Sequence, residues 1–188
     1  MLPRQALRET NDNQKGDELN SDLAEPLHFE KANCLVLACG NTLRSDDGVG
    51  PKLAEWAAHR FQDDSNVRVL ARQQWTPDLA KDIAASDSVL FVDSSIDSAP
   101  GRVNLIPVAT HVNGREGARH GSSTHHINPT ELLGLTHSLY GSMSAHAMLL
   151  TVGAGSTELG ESFSDPVEAA LPRARGVLEK TVLRFLEN

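Results

Sequence analysis

From Ala32 onward, short runs of apolar residues alternate with stretches in which apolar positions recur every three or four residues. Runs of strand length that are apolar throughout imply strands buried on both faces, and recurrence at i, i+3 and i+4 implies helices with one buried face. The pattern predicts strands over 33–38, about 66–71, 88–93, about 101–107 and 147–152. It predicts helices over about 49–62, 77–86 and 128–139, and a final helical region over about 165–186. In the first helix Leu53, Ala54, Trp56, Ala57 and Ala58 mark the apolar stripe; in the last, Leu171, Leu178, Val182, Phe185 and Leu186 share one face. Pro166 suits a first helical turn, whereas Pro172 inside the last region predicts a kink or a restart. The alternation predicts an α/β fold: a three-layer sandwich in which a twisted, mostly parallel sheet of about five strands carries helices on both faces.

Composition divides the chain. Residues 1–30 carry three basic and seven acidic side chains with few large apolar groups, the composition of a disordered acidic tail. Residues 31–188 then form a single α/β domain of ordinary size. Over all 188 residues, 25 acidic against 17 basic side chains give a net charge of -8. That excess repels phosphate backbones and anionic membranes, and no basic patch offsets it, so neither nucleic acid nor membrane is expected as a partner. No apolar stretch is long enough to span a bilayer, and the amino terminus has no apolar secretion region. Cys34 and Cys39 share one extended strand and lie too far apart to pair, which fits reduced thiols and a cytoplasmic location.

Three groups of side chains could do chemistry. Leu35-Val-Leu-Ala-Cys-Gly-Asn-Thr-Leu-Arg-Ser-Asp-Asp-Gly-Val-Gly-Pro51 breaks an apolar strand at Gly40-Asn41 and delivers Asp46 and Asp47 into a glycine-bracketed turn. Asp93 closes the strand that begins at Ser88. Acids at equivalent strand ends of a parallel sheet reach the carboxyl edge, where open α/β sheets bind ligands, so the three could converge. A lone loop aspartate more often caps a helix or satisfies loop amides, and only the threefold coincidence favours a functional reading. The third group is the pair His125-His126, in a Gly/Ser loop that leads into a helix with Asn128 as N-cap and Pro129 at its first position. One imidazole with two carboxylates suits a divalent transition ion. Two adjacent histidines do not easily face one site, and a single histidine more often packs or meets solvent. His59, His111, His120, His137 and His146 have no comparable neighbours and read as surface or packing residues.

Other chemistries are weaker. The acidic turn lacks the lysine and hydroxyl of a phosphate-binding loop and the glycine pattern of a dinucleotide site, and its acids would repel phosphates. There is no nucleophile elbow, and Cys39 near a strand end is a minor candidate nucleophile. Gln73, Gln74 and Trp75 before Pro77 could line one wall of the cleft; Trp75 could equally pack in the core.

With those residues in view, the sequence resembles the hydrogenase maturation proteases, cytoplasmic endopeptidases that trim the carboxyl terminus of the large subunit of nickel-iron hydrogenases. The resemblance covers roughly 33–186. It rests on the loop from Gly40-Asn41 to Asp46-Asp47-Gly48-Val49-Gly50, on Asp93 ending an apolar strand, and on His125 placed six residues before Glu131. It implies that Asp47, Asp93 and His125 are both the catalytic residues and the metal ligands, with His126 as the fallback for His125. It implies further that the nickel arrives with the hydrogenase large-subunit precursor and that no metal is permanently bound. Beside a cation held near the scissile amide, Asp46 or Asp47 is available as a base, and the chain is expected to act as a monomer. A non-catalytic nickel-sensing docking factor and a small-molecule hydrolase are the alternatives. Departures from the family pattern are Ala38 in place of a frequent glycine, Asp47 where some members carry glutamate, and Arg72-Gln73-Gln74-Trp75-Thr76 in place of a glycine-threonine segment. The tail before Ala32 and the loop Thr110 to Ser123 are additions to it.

Overall fold

Alternate residues of the first strand go to opposite cores, and that division organises the molecule. The computed structural model describes residues 32–109, 127–141, 144 and 146–187. Strand β1 (Ala32–Cys39) sends Cys34, Val36 and Ala38 to one face of the sheet and Leu35, Leu37 and Cys39 to the other. The first set packs with Leu90, Val92, Leu150 and Val152 against helices α1 (Val49–Arg60) and α4 (Asp165–Leu186). The second packs with Val89 and Phe91 against α2 (Ala80–Ala84) and α3 (Pro129–Tyr140). A strand apolar on both faces is what a sheet covered on both sides requires.

Strands β2 (Val67–Arg72), β3 (Ser86–Ser95), β4 (Val103–Pro107) and β5 (His146–Gly153) complete a five-stranded sheet of order β2-β1-β3-β5-β4. All neighbours are parallel except the edge pair β4–β5, which is antiparallel. The α/β sandwich expected from the alternation is therefore present. Because β1 leads outward to β2 while β3 lies on its other side, the connections diverge between β1 and β3. That is the switch point at which open α/β sheets form a crevice beyond the strands' carboxyl ends.

Two elements differ from expectation. The helix expected over 77–86 is a 3-10 turn, Pro77–Leu79, followed by only five α-helical residues, because β3 begins at Ser86 and claims the end of the segment. The last helix neither stops nor restarts at Pro172. Pro172 and Glu168, whose carbonyl loses its partner there, are both exposed, while Leu171 and Ala174 are buried on either side and anchor the helix across the gap. Asn128 caps α3 as expected: its side chain accepts from the Glu131 N–H at 2.9 Å, and the Glu131 carboxylate accepts from the Asn128 N–H at 2.9 Å. Cys34 and Cys39 are unpaired and buried. Among the described residues no helix is long and apolar enough to cross a membrane. The tail expected over 1–30 lies outside the described residues.

Candidate active site

Two glycines let the acidic loop fold tightly over the end of β1. Gly40 takes φ of 141°, and a Cβ there would stand 1.9 Å from the Asp47 carbonyl oxygen; a Cβ on Gly50 would stand 2.0 Å from the Cys39 carbonyl oxygen. Only glycine allows both approaches. The loop between them passes through the 3-10 turn Ser45–Gly48 and feeds directly into α1.

The adjacent acids go to different places. Asp46 is fully buried, and its carboxylate accepts four hydrogen bonds: from the Gly155 N–H (2.7 Å), the Ser156 N–H (2.9 Å), the Ser164 N–H (2.7 Å) and the Ser164 hydroxyl (2.7 Å). Burial by itself would raise its pKa, but those donors outweigh burial and hold the carboxyl below the usual aspartate value. The idea that Asp46 could serve as a base is therefore corrected: Oδ2 takes three donors, Oδ1 takes one, and no solvent reaches the carboxylate.

Asp47 turns toward the sheet. Its Oδ2 accepts from the Asn41 N–H at 2.9 Å and its Oδ1 from the Ser94 hydroxyl at 2.9 Å. Ser94 lies on β3 directly after Asp93, so this bond ties the acidic loop to the end of β3 across the switch point. Asp93 is half-buried, and its Oδ1 accepts from the Ser94 N–H at 2.8 Å. Burial pushes the Asp93 carboxyl up to about 7; the nearby Asp47 charge adds to the push, and hydrogen bonds from the Ser94 N–H and the Trp75 side chain hold it back. The same two carboxylates, with burial as the larger cause, keep the Cys39 thiol protonated, which argues against Cys39 as a nucleophile.

Asp47 and Asp93 thus converge, as expected from their strand-end positions, and Asp46 does not join them. His125 and its fallback His126 lie outside the described residues. Among the described residues no group of three His, Cys, Asp or Glu side chains could hold a metal ion. Of the remaining histidines, His59 is exposed, His146 stacks on Phe185 with ring centroids 6.1 Å apart, and His111 and His120 lie outside the described residues.

Two neighbours of the site were less legible in the sequence. Trp75 fills both of its expected roles: it is buried edge-on against Phe91, centroids 5.5 Å apart, and also donates to Asp93. Ser94 was missed; the available signal was its place beside Asp93 at the strand end, on the opposite face by the two-residue period. Chemically, two acids with a like-charge penalty and no cation between them among the described residues form a site that a divalent cation would relieve.

Several solved structures share this fold. The hydrogenase maturating endopeptidase HybD from E. coli superposes with a TM-score of 0.59 at 20% identity, covering 81% of this chain and 93% of that one. A nickel-iron hydrogenase maturation protease, HycI, from Thermococcus kodakarensis gives 0.58 at 24% identity, covering 84% and 94%. A hydrogenase 2 maturation peptidase from a Thaumarchaeota archaeon gives 0.57 at 22%, covering 80% and 97%. At such identities the likeness establishes a shared fold. No protein-family model and no curated protein matches the chain.

Proposed function

We propose that this chain is a nickel-gated processing endopeptidase that removes the carboxy-terminal extension of a hydrogenase large-subunit precursor. One observation carries the reading. Asp47 and Asp93 meet at the carboxyl edge beside the switch point, bridged by Ser94, in a fold whose solved neighbours are named hydrogenase maturation endopeptidases. Asp47, Asp93 and His125 would embrace nickel already seated in the precursor, so that metal loading is checked before cleavage. A cation so placed polarises a carbonyl or acidifies a water. Asn41 and Ser94 fix the direction of the Asp47 carboxylate, and Trp75 fixes Asp93. With Asp46 fully engaged, Asp47 and Asp93 are the described carboxylates able to take a proton during attack on the amide. The reading places the protein in the cytoplasm, acting as a monomer.

Mass spectrometry of a candidate precursor incubated with the protein, with and without nickel, tests this. The expected result is shortening at the carboxyl terminus only with nickel loaded. Trimming regardless of nickel rejects the gating; binding of the loaded precursor without trimming favours the docking-factor reading.

A further inference from the structure

Asp46 is the one charged side chain among the described residues that is completely buried, and all four of its donors lie 109 to 118 residues away in sequence. Ser164 stands at the N-cap of α4, where a serine hydroxyl ordinarily accepts from the first turn of its own helix. Here it makes no such bond and donates to Asp46 instead. Around this centre, the Ser45 N–H donates to the Gly160 carbonyl (2.7 Å), the Gly160 N–H to the Leu43 carbonyl (3.0 Å), and the Asp46 N–H to the Ser156 carbonyl (3.1 Å). The Arg44 Nε donates to the Thr157 carbonyl (3.1 Å) and the Ser45 hydroxyl to the Glu158 carbonyl (3.1 Å). Ser45 sits at φ 47°, in the left-handed region that a serine adopts only when its surroundings impose it. The segment 155–164 therefore holds a strained turn two residues before Asp47.

We propose that Asp46 and Ser164 are positioning residues for Asp47: their clamp keeps the acidic turn strained so that Asp47 presents its carboxylate beside Asp93. The inference rests on the reading of Asp47 as an ion ligand. Under it, a segment that contributes no candidate ligand sets the affinity of the site. The Ser94 hydroxyl and Asn41 N–H then act on an Asp47 whose backbone is already fixed, rather than capturing a mobile side chain.

Full-length Ser164→Ala tests this, since it removes one donor and leaves three N–H donors around the Asp46 carboxylate. Two quantities are read: amide exchange at Asn41, whose N–H binds Asp47 Oδ2, and affinity for Ni²⁺ alone by calorimetric titration. Ser164→Ala is expected to speed exchange at Asn41 and to weaken Ni²⁺ binding ~10-fold, the scale of losing a partner that orients a metal ligand. Ser164→Thr keeps the hydroxyl and is expected to restore both. Unchanged Asn41 exchange with unchanged Ni²⁺ affinity in Ser164→Ala, while the wild type binds Ni²⁺, overturns the inference and leaves the functional reading standing. Where the free wild type does not hold Ni²⁺, exchange at Asn41 decides alone: unchanged exchange in Ser164→Ala overturns the inference, while the functional reading stands or falls with the precursor assay.

Discussion

Asp46 and Asp93 both lie at the carboxyl edge of the sheet and both are pushed toward neutrality by burial, yet only Asp93 yields. Around Asp46 four donors point inward and outweigh burial, so its charged form is held. Around Asp93 there are two donors and a neighbouring carboxylate, so its pKa rises to about 7. Burial sets the size of the stakes; the balance of donors and charges decides the direction. Asp46 is settled by donors within the fold, and Asp93 is left with a raised carboxyl pKa beside a second acid.

The largest effect that would break this contrast is on processing. Asp47→Asn, Asp93→Asn and His125→Ala should each lower precursor cleavage by roughly 1,000-fold or more, as loss of members of one catalytic unit does. Thermal stability should hardly fall, because cleft residues contribute little to the core. For Asp93→Asn it should rise at neutral pH, since an amide there carries no charge to desolvate. Cleavage assays and melting curves on the same preparations check both halves. Large destabilisation in all three variants would make these residues structural.

Next in size, Asp46→Ala should cost about 3–5 kcal/mol of unfolding free energy, because four buried donors lose one charged acceptor at once, and should slow cleavage through the loosened Asp47. Urea denaturation measures it. A loss below about 1 kcal/mol would mean that the donors find other partners and the clamp is dispensable.

The same contrast explains what the sequence made legible. The strands and long helices were readable because each carries its burial pattern within its own residues, as in Ser88–Asp93 and Leu171–Leu186. The acidic loop was readable because Gly40, Gly48 and Gly50 bracket it. Which aspartate is structural was not readable. That depends on Gly155, Ser156 and Ser164, which carry no motif and meet Asp46 only in the folded chain. Pro172 does not interrupt α4 for a related reason: a proline's penalty is local, while the tertiary packing of Leu171 and Ala174 that keeps the helix continuous is not written at position 172.

The smallest effect is a matter of pH, and it separates the two aspartates in one titration of the metal-free protein. Asp46 has a folded pKa below its ordinary value of 3.8, so its contribution is fully present above that value and is lost as pH falls through the lower folded value. Asp93 has the opposite sign. Its folded pKa is raised from 3.8 to about 7, so the folded state holds the proton more tightly, and stability is greatest below 3.8 from this group and declines as pH rises through about 7. After allowance for its partial exposure the decline should amount to about 1–2 kcal/mol. Urea midpoints measured from pH 4 to 8 should therefore fall toward neutrality, and Asp93→Asn should flatten that limb while leaving the acid limb in place. Nickel should flatten it as well, because a cation beside Asp93 favours the ionised carboxylate that burial penalises. A neutral limb that Asp93→Asn leaves unchanged would show that some other group is responsible and that Asp93 is as settled in the fold as Asp46.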